Sequence, residues 1–519
     1  MTVLSTHVNT ASTPKAAPEP LDRRTLIIAA VVLLGAVMTI LDTTIINVAI
    51  DRLATDFDSP ITTIQWVVTG YTLALATVIP ITGWASDRFG TKRIYLWSLI
   101  LFVLGSALCG VAWSAESLIA FRVLQGIGGG MIMPAVMTIM TQAAGRDRIG
   151  RVMGILGVPM LIAPIVGPIL GGWLVDDVSW RWIFFVNVPI GIVAVIAAYL
   201  VLDRDKPQPA HRLDWLGLVL LSPGLALLIY GLAESAADGF GAAKSWGPIL
   251  AGVLLIAAFF RHSWTAETPL IAVRSFVRSR AGAAAGVFLM FAIAFFGALL
   301  LIPLYYQTVR GDTALQSGLL LAPQGLGAMI TMPIAGRLTD RYGPHKLPAY
   351  GLPLLLIGMS PFAFVTADTS YVLLCGFGFV LGLGMGLSMM PTMTAAMNAV
   401  PPSEIARTST AMNIIRQAGA SIGTAIMSVI LAHNITSNVG TGSGSGGPEG
   451  LGAVHGLDAA QRSVVAGPLA DAFASTFVWA LGLLAIAFVA ALLMARGGRS
   501  APAAPIVVDP EPEAVVSPS

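Results

Sequence analysis

Long apolar runs, separated by short charged or Pro/Gly-rich breaks, repeat along almost the whole chain. A helix needs about 20 mostly apolar residues to cross a bilayer, and each of these runs is long enough. The pattern therefore predicts fourteen membrane-spanning helices. Their predicted positions are 26–49, 62–84, 94–113, 117–141, 150–174, 181–202, 213–233, 246–263, 281–305, 316–337, 347–366, 371–397, 405–432 and 473–495.

Composition supports a membrane protein and argues against several other classes. The 519 residues are 56% hydrophobic and 11% charged, whereas soluble domains carry about 25% charged residues. The net charge of +2 gives no sign of a nucleic-acid partner. Cys109 and Cys375 fall in separate spans, the six histidines are scattered, and no phosphate-binding loop is found. We therefore expect neither an enzyme nor a metal or cofactor.

Lysines and arginines are distributed unevenly between the two sides of the predicted membrane. With a cytoplasmic N-terminus, 22 of the 29 lie in inside segments and 5 in outside segments. The remaining two, Arg122 and Arg416, lie within spans. Since cytoplasmic loops carry an excess of Lys and Arg, we expect a multi-pass protein of the cytoplasmic membrane with both termini inside.

A loop sequence that occurs twice indicates an internal duplication. Gly83 to Arg93 recurs as Gly336 to Lys346, 253 residues later. Transporters built from repeats place the substrate route between the halves, near the bilayer midplane. The predicted organisation is an N-terminal tail (1–25), a six-helix half (26–202), two inserted helices (203–264), a second six-helix half (265–495) with a flexible outside loop (434–471), and a disordered tail (496–519).

Five motifs, one of them present in two copies, resemble the major facilitator superfamily, and specifically its fourteen-span drug:proton antiporters of the EmrB/QacA type. They are Leu41–Ala49, the two repeated loops, Arg122–Gly128, Gly154–Gly172 and Ser179–Gly191. The chain departs from the pattern at Asp51, where the first motif usually has proline, and at Ala163, where the fifth-span motif has glycine. The resemblance implies a monomeric exporter of hydrophobic or cationic drugs, driven by the proton gradient. Whether an envelope adaptor protein takes part is left open.

Two charged residues inside predicted spans are the candidates for proton coupling. Asp42 lies about 10 Å from the outer end of its span and Arg122 about 8 Å from the outer start of its own, so their depths match. Charges inside a membrane are costly and usually functional. The resemblance links Asp42 to proton- or cation-coupled transport and Arg122 to proton transfer. The alternatives are a purely structural carboxylate and an arginine that binds carbonyls of neighbouring helices.

The repeated loop is the candidate conformational latch. Its glycines allow a tight turn and close helix approach, and its aspartate can bind an arginine or a helix N-terminus. The alternative is that its basic residues only set the topology. The predicted latch residues are Gly83, Asp87, Arg88, Gly90, Arg93, Asp340 and Arg341.

Small residues and prolines follow one another along the fifth span. Small residues permit close helix packing in lipid, and the resemblance implies that this motif distinguishes exporters from importers. Ordinary packing is the alternative. The motif residues are Gly154, Pro164, Gly167, Pro168, Gly171 and Gly172.

Polar residues within spans are the candidates for substrate contact. Arg416 lies about 17 Å into its span, close to the midplane, and either lines a cavity or braces helices. The candidates are Gln65, Thr69, Gln307, Gln324, Asn413 and Arg416.

Two other functions compete with drug:proton antiport. One is export of a single endogenous metabolite, such as a siderophore, antibiotic or lipid. The other is a membrane sensor or enzyme that transports nothing, which the duplicated six-helix unit and the lack of catalytic clusters disfavour.

Overall fold

The protein is all-helical in a computed structural model that describes residues 22–145, 148–203, 212–238, 242–267, 269–271, 273–401, 404–439 and 459–497. No strand occurs within these ranges. The predicted tails, apart from a few residues next to the first and last helices, lie outside the described residues. The same is true of positions 440–458 in the predicted outside loop.

In the described part of the chain, fourteen helices coincide with the predicted spans. Twelve of them are long and apolar enough to cross a membrane, and two further apolar helices, Ile149–Trp173 and Pro348–Phe364, occupy the fifth and eleventh predicted positions. We number them as follows: α1 Arg23–Ile45, α2 Thr63–Phe89, α3 Thr91–Gly110, α4 Ala115–Ala144, α5 Ile149–Trp173, α6 Trp182–Val201, α7 Trp215–Asp238, α8 Ala243–Thr265, α9 Arg280–Thr308, α10 Ala314–Tyr342, α11 Pro348–Phe364, α12 Tyr371–Asn398, α13 Ile405–Val439 and α14 Ala459–Gly497.

The last two helices extend beyond their apolar runs. α13 continues to Val439 and α14 begins at Ala459, so part of the predicted loop 434–471 is helical. Hydropathy marks where a chain leaves the hydrocarbon, whereas a helix continues as long as its backbone hydrogen bonds are made. The segment between the two helices is therefore shorter than predicted.

Each half has its own packed bundle. In the N-terminal half, α1 packs against α4, α5 and α6, α2 against α4, and α3 against α4 and α6. In the C-terminal half, α9 packs against α12, α13 and α14, and α10 and α11 against α12. The inserted helices α7 and α8 pair with each other, and α7 also contacts α2 and α13. One inserted helix thus touches both halves.

The halves meet along two groups of helices. α5 packs against α10 and α12, and α13 packs against the end of α2 and against α4. The bundle end where α2 ends and α5 and α13 begin carries many arginines, including Arg88, Arg93, Arg148, Arg341 and Arg407; we call it the basic end. The positive-inside rule would place this end in the cytoplasm.

Close helix approach inside the N-terminal half depends on glycine. A Cβ added to Gly105 of α3 would lie 2.6 Å from Cα of Gln125 on α4, whereas one added to Gly482 of α14 would meet open space.

We therefore expect Gly105→Leu to lower the Tm of the purified protein in detergent, by an amount equivalent to about 1–3 kcal/mol of overpacking. Gly482→Leu is the matched control and should leave Tm unchanged. Equal Tm values for the two variants would contradict this packing.

Candidate functional site

A buried ion pair joins α1 to α4 in the N-terminal half. Nη1 of Arg122 lies 2.6 Å from Oδ2 of Asp42, and Arg122 and Asp42 are 0% and 3% exposed. The sequence predicted two charges at matching depth, and the structure brings them into direct contact. Both lie inside one bundle, away from the interface between the halves.

Two amides complete the shell of the carboxylate. Gln125 Nε2 donates to Asp42 Oδ1 over 2.8 Å, and Asn187 Nδ2 of α6 donates to the same oxygen over 3.1 Å. Asn187 also donates to Oγ of Ser106 on α3, and Ser106 donates to the Phe184 carbonyl. The carboxylate therefore receives donors from α4 and α6, and α3 orients one of them. We call Asp42, Ser106, Arg122, Gln125 and Asn187 the Asp42 cluster.

The guanidinium of Arg122 has further partners. Its Nη1 donates to Oε1 of Gln125 over 2.8 Å, its Nε donates to the Val67 carbonyl of α2 over 3.1 Å, and its Cζ lies 4.1 Å from the centre of the Tyr71 ring. Binding of a neighbouring carbonyl, the alternative interpretation of Arg122, thus coexists with the ion pair. Among the described residues, Arg122 Nη2 and Tyr71 Oη have no hydrogen-bond partner although both are buried.

The side chains around Asp42 can accommodate either its ionised or its protonated carboxyl group. The ionised Asp42 is stabilised by one cation and two amide donors. Protonation would remove the attraction to Arg122 but leave that arginine with the Val67 carbonyl, Gln125 and an aromatic face. The guanidinium therefore has partners other than the carboxylate within the described residues.

The first copy of the repeated loop joins the halves at the basic end. Oδ2 of Asp87 on α2 lies 3.2 Å from Nε of Arg407 on α13. A Cβ on Gly83 would lie 3.2 Å from Cα of Arg407, which shows how closely the two helices approach. Nearby, Ser409 Oγ donates to the Pro134 carbonyl of α4 over 3.1 Å.

The second copy joins the halves in a different way. Asp340 of α10 accepts hydrogen bonds from the backbone N–H groups of Gly150 and Arg151, over 2.9 and 3.3 Å, at the N-terminus of α5. The Arg151 side chain also lies 3.5 Å from this carboxylate. Negative charge at a helix N-terminus is stabilised by the exposed N–H groups and the helix dipole.

The remaining loop residues divide into turn and surface positions. Gly90 and Gly343 have φ values of +90° and +89°, a region that favours glycine, at equivalent points of the two copies. Arg88, Arg93 and Arg341 are exposed at the basic end. Their positions fit a role in topology, while the two aspartates form the contacts between halves.

The small residues of α5 contact both halves. Near the basic end, a Cβ on Gly154 would lie 2.5 Å from the Met332 carbonyl of α10. Farther along, Gly167 faces Thr44 and Gly171 faces Ile45 of α1. Gly172 has more room, since only Val48 comes within 4.0 Å of its added Cβ. The side chains of Pro164 and Pro168 lie outside the described part of the structure.

The predicted substrate residues are only partly brought together. Asn413 and Arg416 border a cavity of about 20 Å³ between the halves, together with Met137, Phe288, Met389, Met390, Met393 and Met412. Gln65, Thr69, Gln307 and Gln324 do not border it; Gln65 is exposed near the start of α2, and Gln324 is buried in α10. The cavity is large enough for about one water molecule.

Sequence reasoning missed several members of the Asp42 cluster. Gln125 stood within the recognised Arg122–Gly128 stretch, and Asn187 within Ser179–Gly191, but neither was assigned a function. Ser106 lies on an apolar span with no motif. A signal was present for the first two, because buried amides inside spans need partners in hydrocarbon.

Two six-helix halves, joined at one end and enclosing a small central cavity, define a membrane transporter rather than an enzyme. The sequence matches the family model of the Major Facilitator Superfamily over residues 32–424. The chain belongs to this superfamily and is a multi-pass membrane protein that acts on small molecules.

The curated relatives are transporters by name. A Multidrug resistance protein B homolog of Mycobacterium tuberculosis is 45% identical over 420 residues, which cover 80% of this chain and 78% of that protein. The Multidrug export protein EmrB of Escherichia coli is 33% identical, with coverage of 79% and 80%. These similarities support a multidrug exporter of this superfamily, as the sequence predicted.

A solved structure shows the same fold. The human organic anion transporter MFSD10 aligns with a TM-score of 0.60 at 14% identity, covering 90% of this chain and 100% of that one. The identity is low, so the likeness extends to the fold alone.

The buried ion pair yields a test of stability. Removing one partner leaves a buried charge uncompensated, which costs about 3–5 kcal/mol, whereas replacing both partners with apolar residues is much less harmful. We expect Asp42→Leu and Arg122→Met each to lower the Tm in detergent, and the double variant to have a higher Tm than either. Additive losses in the double variant would show that the two residues act independently.

Proposed function

We propose that the protein is a proton-coupled antiporter that exports hydrophobic or cationic drugs and related small amphipathic molecules across the cytoplasmic membrane. The observation that carries the proposal is the buried Asp42–Arg122 pair, held in a polar shell inside an otherwise apolar bundle. The named relatives support multidrug export, and the proton gradient is the energy source proposed here.

Coupling would run from the carboxylate to the packing of α1. With Asp42 ionised, α1 is bonded to α4 and α6. A proton arriving from the outside would neutralise Asp42 and weaken these bonds. The end of α1 also packs against the glycine face of α5 through Thr44 and Ile45, so a shift of α1 reaches α5 directly.

The helix α5 would carry this shift to the other half. Its N-terminus holds Asp340 of α10, and Gly154 lies against Met332 of the same helix. Closely packed helices do not deform continuously but move between discrete arrangements. A displacement at one end of α5 would therefore move the whole helix. The closed basic end would then open and the opposite end would close.

The substrate would bind where the two halves meet. The cavity at Arg416 is lined by α4 of the first half and by α9, α12 and α13 of the second. Methionine side chains are flexible and polarizable, which suits ligands of different shape. The cavity has a volume of about 20 Å³ here, so the halves would have to separate before a drug-sized molecule fits.

Proton coupling is tested by flux across a membrane. In proteoliposomes with an imposed proton gradient, we expect Asp42→Asn to reduce efflux of a fluorescent lipophilic compound to the rate measured without a gradient. Asparagine keeps the shape of the side chain but cannot release a proton. Exchange of labelled for unlabelled substrate without a gradient should continue.

The control is Asp177→Asn, which alters an exposed carboxylate after α5 and should export at the wild-type rate. Normal gradient-driven export by Asp42→Asn would remove Asp42 from the mechanism. Wild-type flux that is independent of the gradient would leave the transporter intact and exclude this energy source.

The latch is tested by labelling a buried position. Ser409 is 0% exposed between α13 and α4. In a background with both cysteines replaced by serine, we expect Ser409→Cys to react slowly with a water-soluble maleimide. Adding Asp87→Asn should speed labelling several-fold, because loss of the bond to Arg407 favours opening of the basic end.

The control for labelling is Asp203→Asn, which removes an exposed ion pair with Arg24 within one half at the same end. It should leave the labelling rate unchanged. Equal labelling with and without Asp87→Asn would show that the Asp87–Arg407 pair does not hold the halves together.

A further inference from the structure

A second, larger cavity lies at the basic end of the C-terminal half. Its volume is about 500 Å³, and α9, α12 and α14 form its walls, with the loop between α10 and α11 at one edge. It shares no lining residue with the Arg416 cavity or the Asp42 cluster. Neither substrate movement nor proton coupling, as described above, uses it. We call it the C-half cavity.

The polar lining of the C-half cavity is concentrated at its mouth. Arg280 is the first residue of α9, His345 lies in the loop after α10, and Asn398 is the last residue of α12. All three are at helix ends on the basic side. In a membrane this is the level of the lipid headgroups, where basic side chains meet water and phosphate.

The inner walls are apolar. Along α9, the lining continues from Arg280 to Val287, which is about 10 Å deeper into the bundle at the helical rise. A Cβ added to Gly286 would meet open space, and Leu493 of α14 borders the cavity with 63% of its surface exposed. The cavity therefore combines a polar mouth with an apolar wall that runs toward the hydrocarbon.

Two cations, Arg280 and Lys346, lie close to His345 at the mouth. Burial lowers the pKa of His345 below its ordinary value, and the neighbouring cations Lys346 and Arg280 lower it further. Nearby cations disfavour a proton on His345, and the same cations favour an anion bound beside it. The neutral imidazole can still donate one N–H hydrogen bond to that anion. The charge of the mouth and the apolar wall together match an amphipathic anion.

We propose that the C-half cavity binds an anionic phospholipid, with its phosphate at Arg280 and His345 and an acyl chain along Gly286, Val287 and Leu493. Basic pockets between transmembrane helices on the cytoplasmic side bind such headgroups. The apolar wall selects a lipid over a free phosphate, because a small soluble anion would leave that wall uncovered.

The equivalent position in the N-terminal half also borders a cavity, of about 550 Å³, but its basic side chain is bonded differently. Lys92, the counterpart of His345 in the repeat, donates to the carbonyls of Tyr199 and Leu202 at the end of α6. Its cation therefore ties α3 to α6. In the second copy a shorter histidine stands at this position and borders the C-half cavity.

The experiment is native mass spectrometry of the full-length protein in detergent with phosphatidylglycerol, compared with phosphatidylcholine of the same acyl chains. We expect one tightly retained phosphatidylglycerol. Gly286→Leu, which fills the open space, should abolish its retention, and Arg280→Gln should weaken it about tenfold, the equivalent of one charge-assisted contact of about 1.4 kcal/mol. Glycerol phosphate, which has the headgroup charge but no acyl chains, should not compete.

Two matched variants control for nonspecific effects. Gly376→Leu adds the same side chain to open space near the opposite end of α12, and Arg274→Gln removes an exposed arginine near the same end of the bundle. Both should retain the lipid as the wild type does. An unchanged Tm for Gly286→Leu shows that the variant is folded. If its Tm is lowered, loss of the lipid could reflect misfolding, and Arg280→Gln, which adds no bulk, then provides the test of the site.

Four results would overturn the proposal. Equal retention of phosphatidylcholine would show an apolar groove without preference for charge. Competition by glycerol phosphate would indicate a soluble anion as the ligand, and displacement of the lipid by an exported compound would make the cavity part of the substrate route. Retention unaffected by both Gly286→Leu and Arg280→Gln would place the lipid elsewhere.

Discussion

The N-terminal half depends on one buried charge pair. In a bundle of apolar helices, neither Asp42 nor Arg122 is tolerable alone, because the cost of removing an ion from water is several kcal/mol. Their mutual attraction, supported by Gln125, Asn187 and the Val67 carbonyl, offsets that cost. These bonds hold α1, α2, α4 and α6 relative to one another. α5 links that half to its partner, because it contacts α1 through two glycines and α10 through a third and through its own N-terminus.

The sequence predicted the helices and the repeat because both have strong physical signals. Apolar runs about 20 residues long mark spans, and the duplicated Gly/Asp/Arg loop marks equivalent positions in two halves. The depth of Asp42 and Arg122 followed from the helical rise alone. Their direct contact did not, because depth carries no information about which helix faces point toward each other.

The contacts that could not be predicted depend on how each helix is rotated about its own axis and on where the backbone N–H groups lie. Asn187 and Ser106 lie in apolar helices. Because lipid and protein interior are equally apolar, the pattern of apolar residues does not show which side of such a helix faces the protein. The two aspartates of the repeat look alike in sequence, yet one binds an arginine side chain and the other binds backbone N–H groups. The helical ends at Val439 and Ala459 lie beyond the apolar runs, where hydropathy gives no signal.

The difference between the two aspartates has a consequence for ionic strength. The Asp87–Arg407 pair is partly exposed, at 15% and 20% of the side-chain surface, so dissolved salt screens it. Asp340 is 3% exposed and is bonded to backbone N–H groups, so salt affects it much less. We therefore expect concentrated salt to weaken the contact between α2 and α13 more than the contact between α5 and α10, so the two contacts between the halves differ in their dependence on ionic strength.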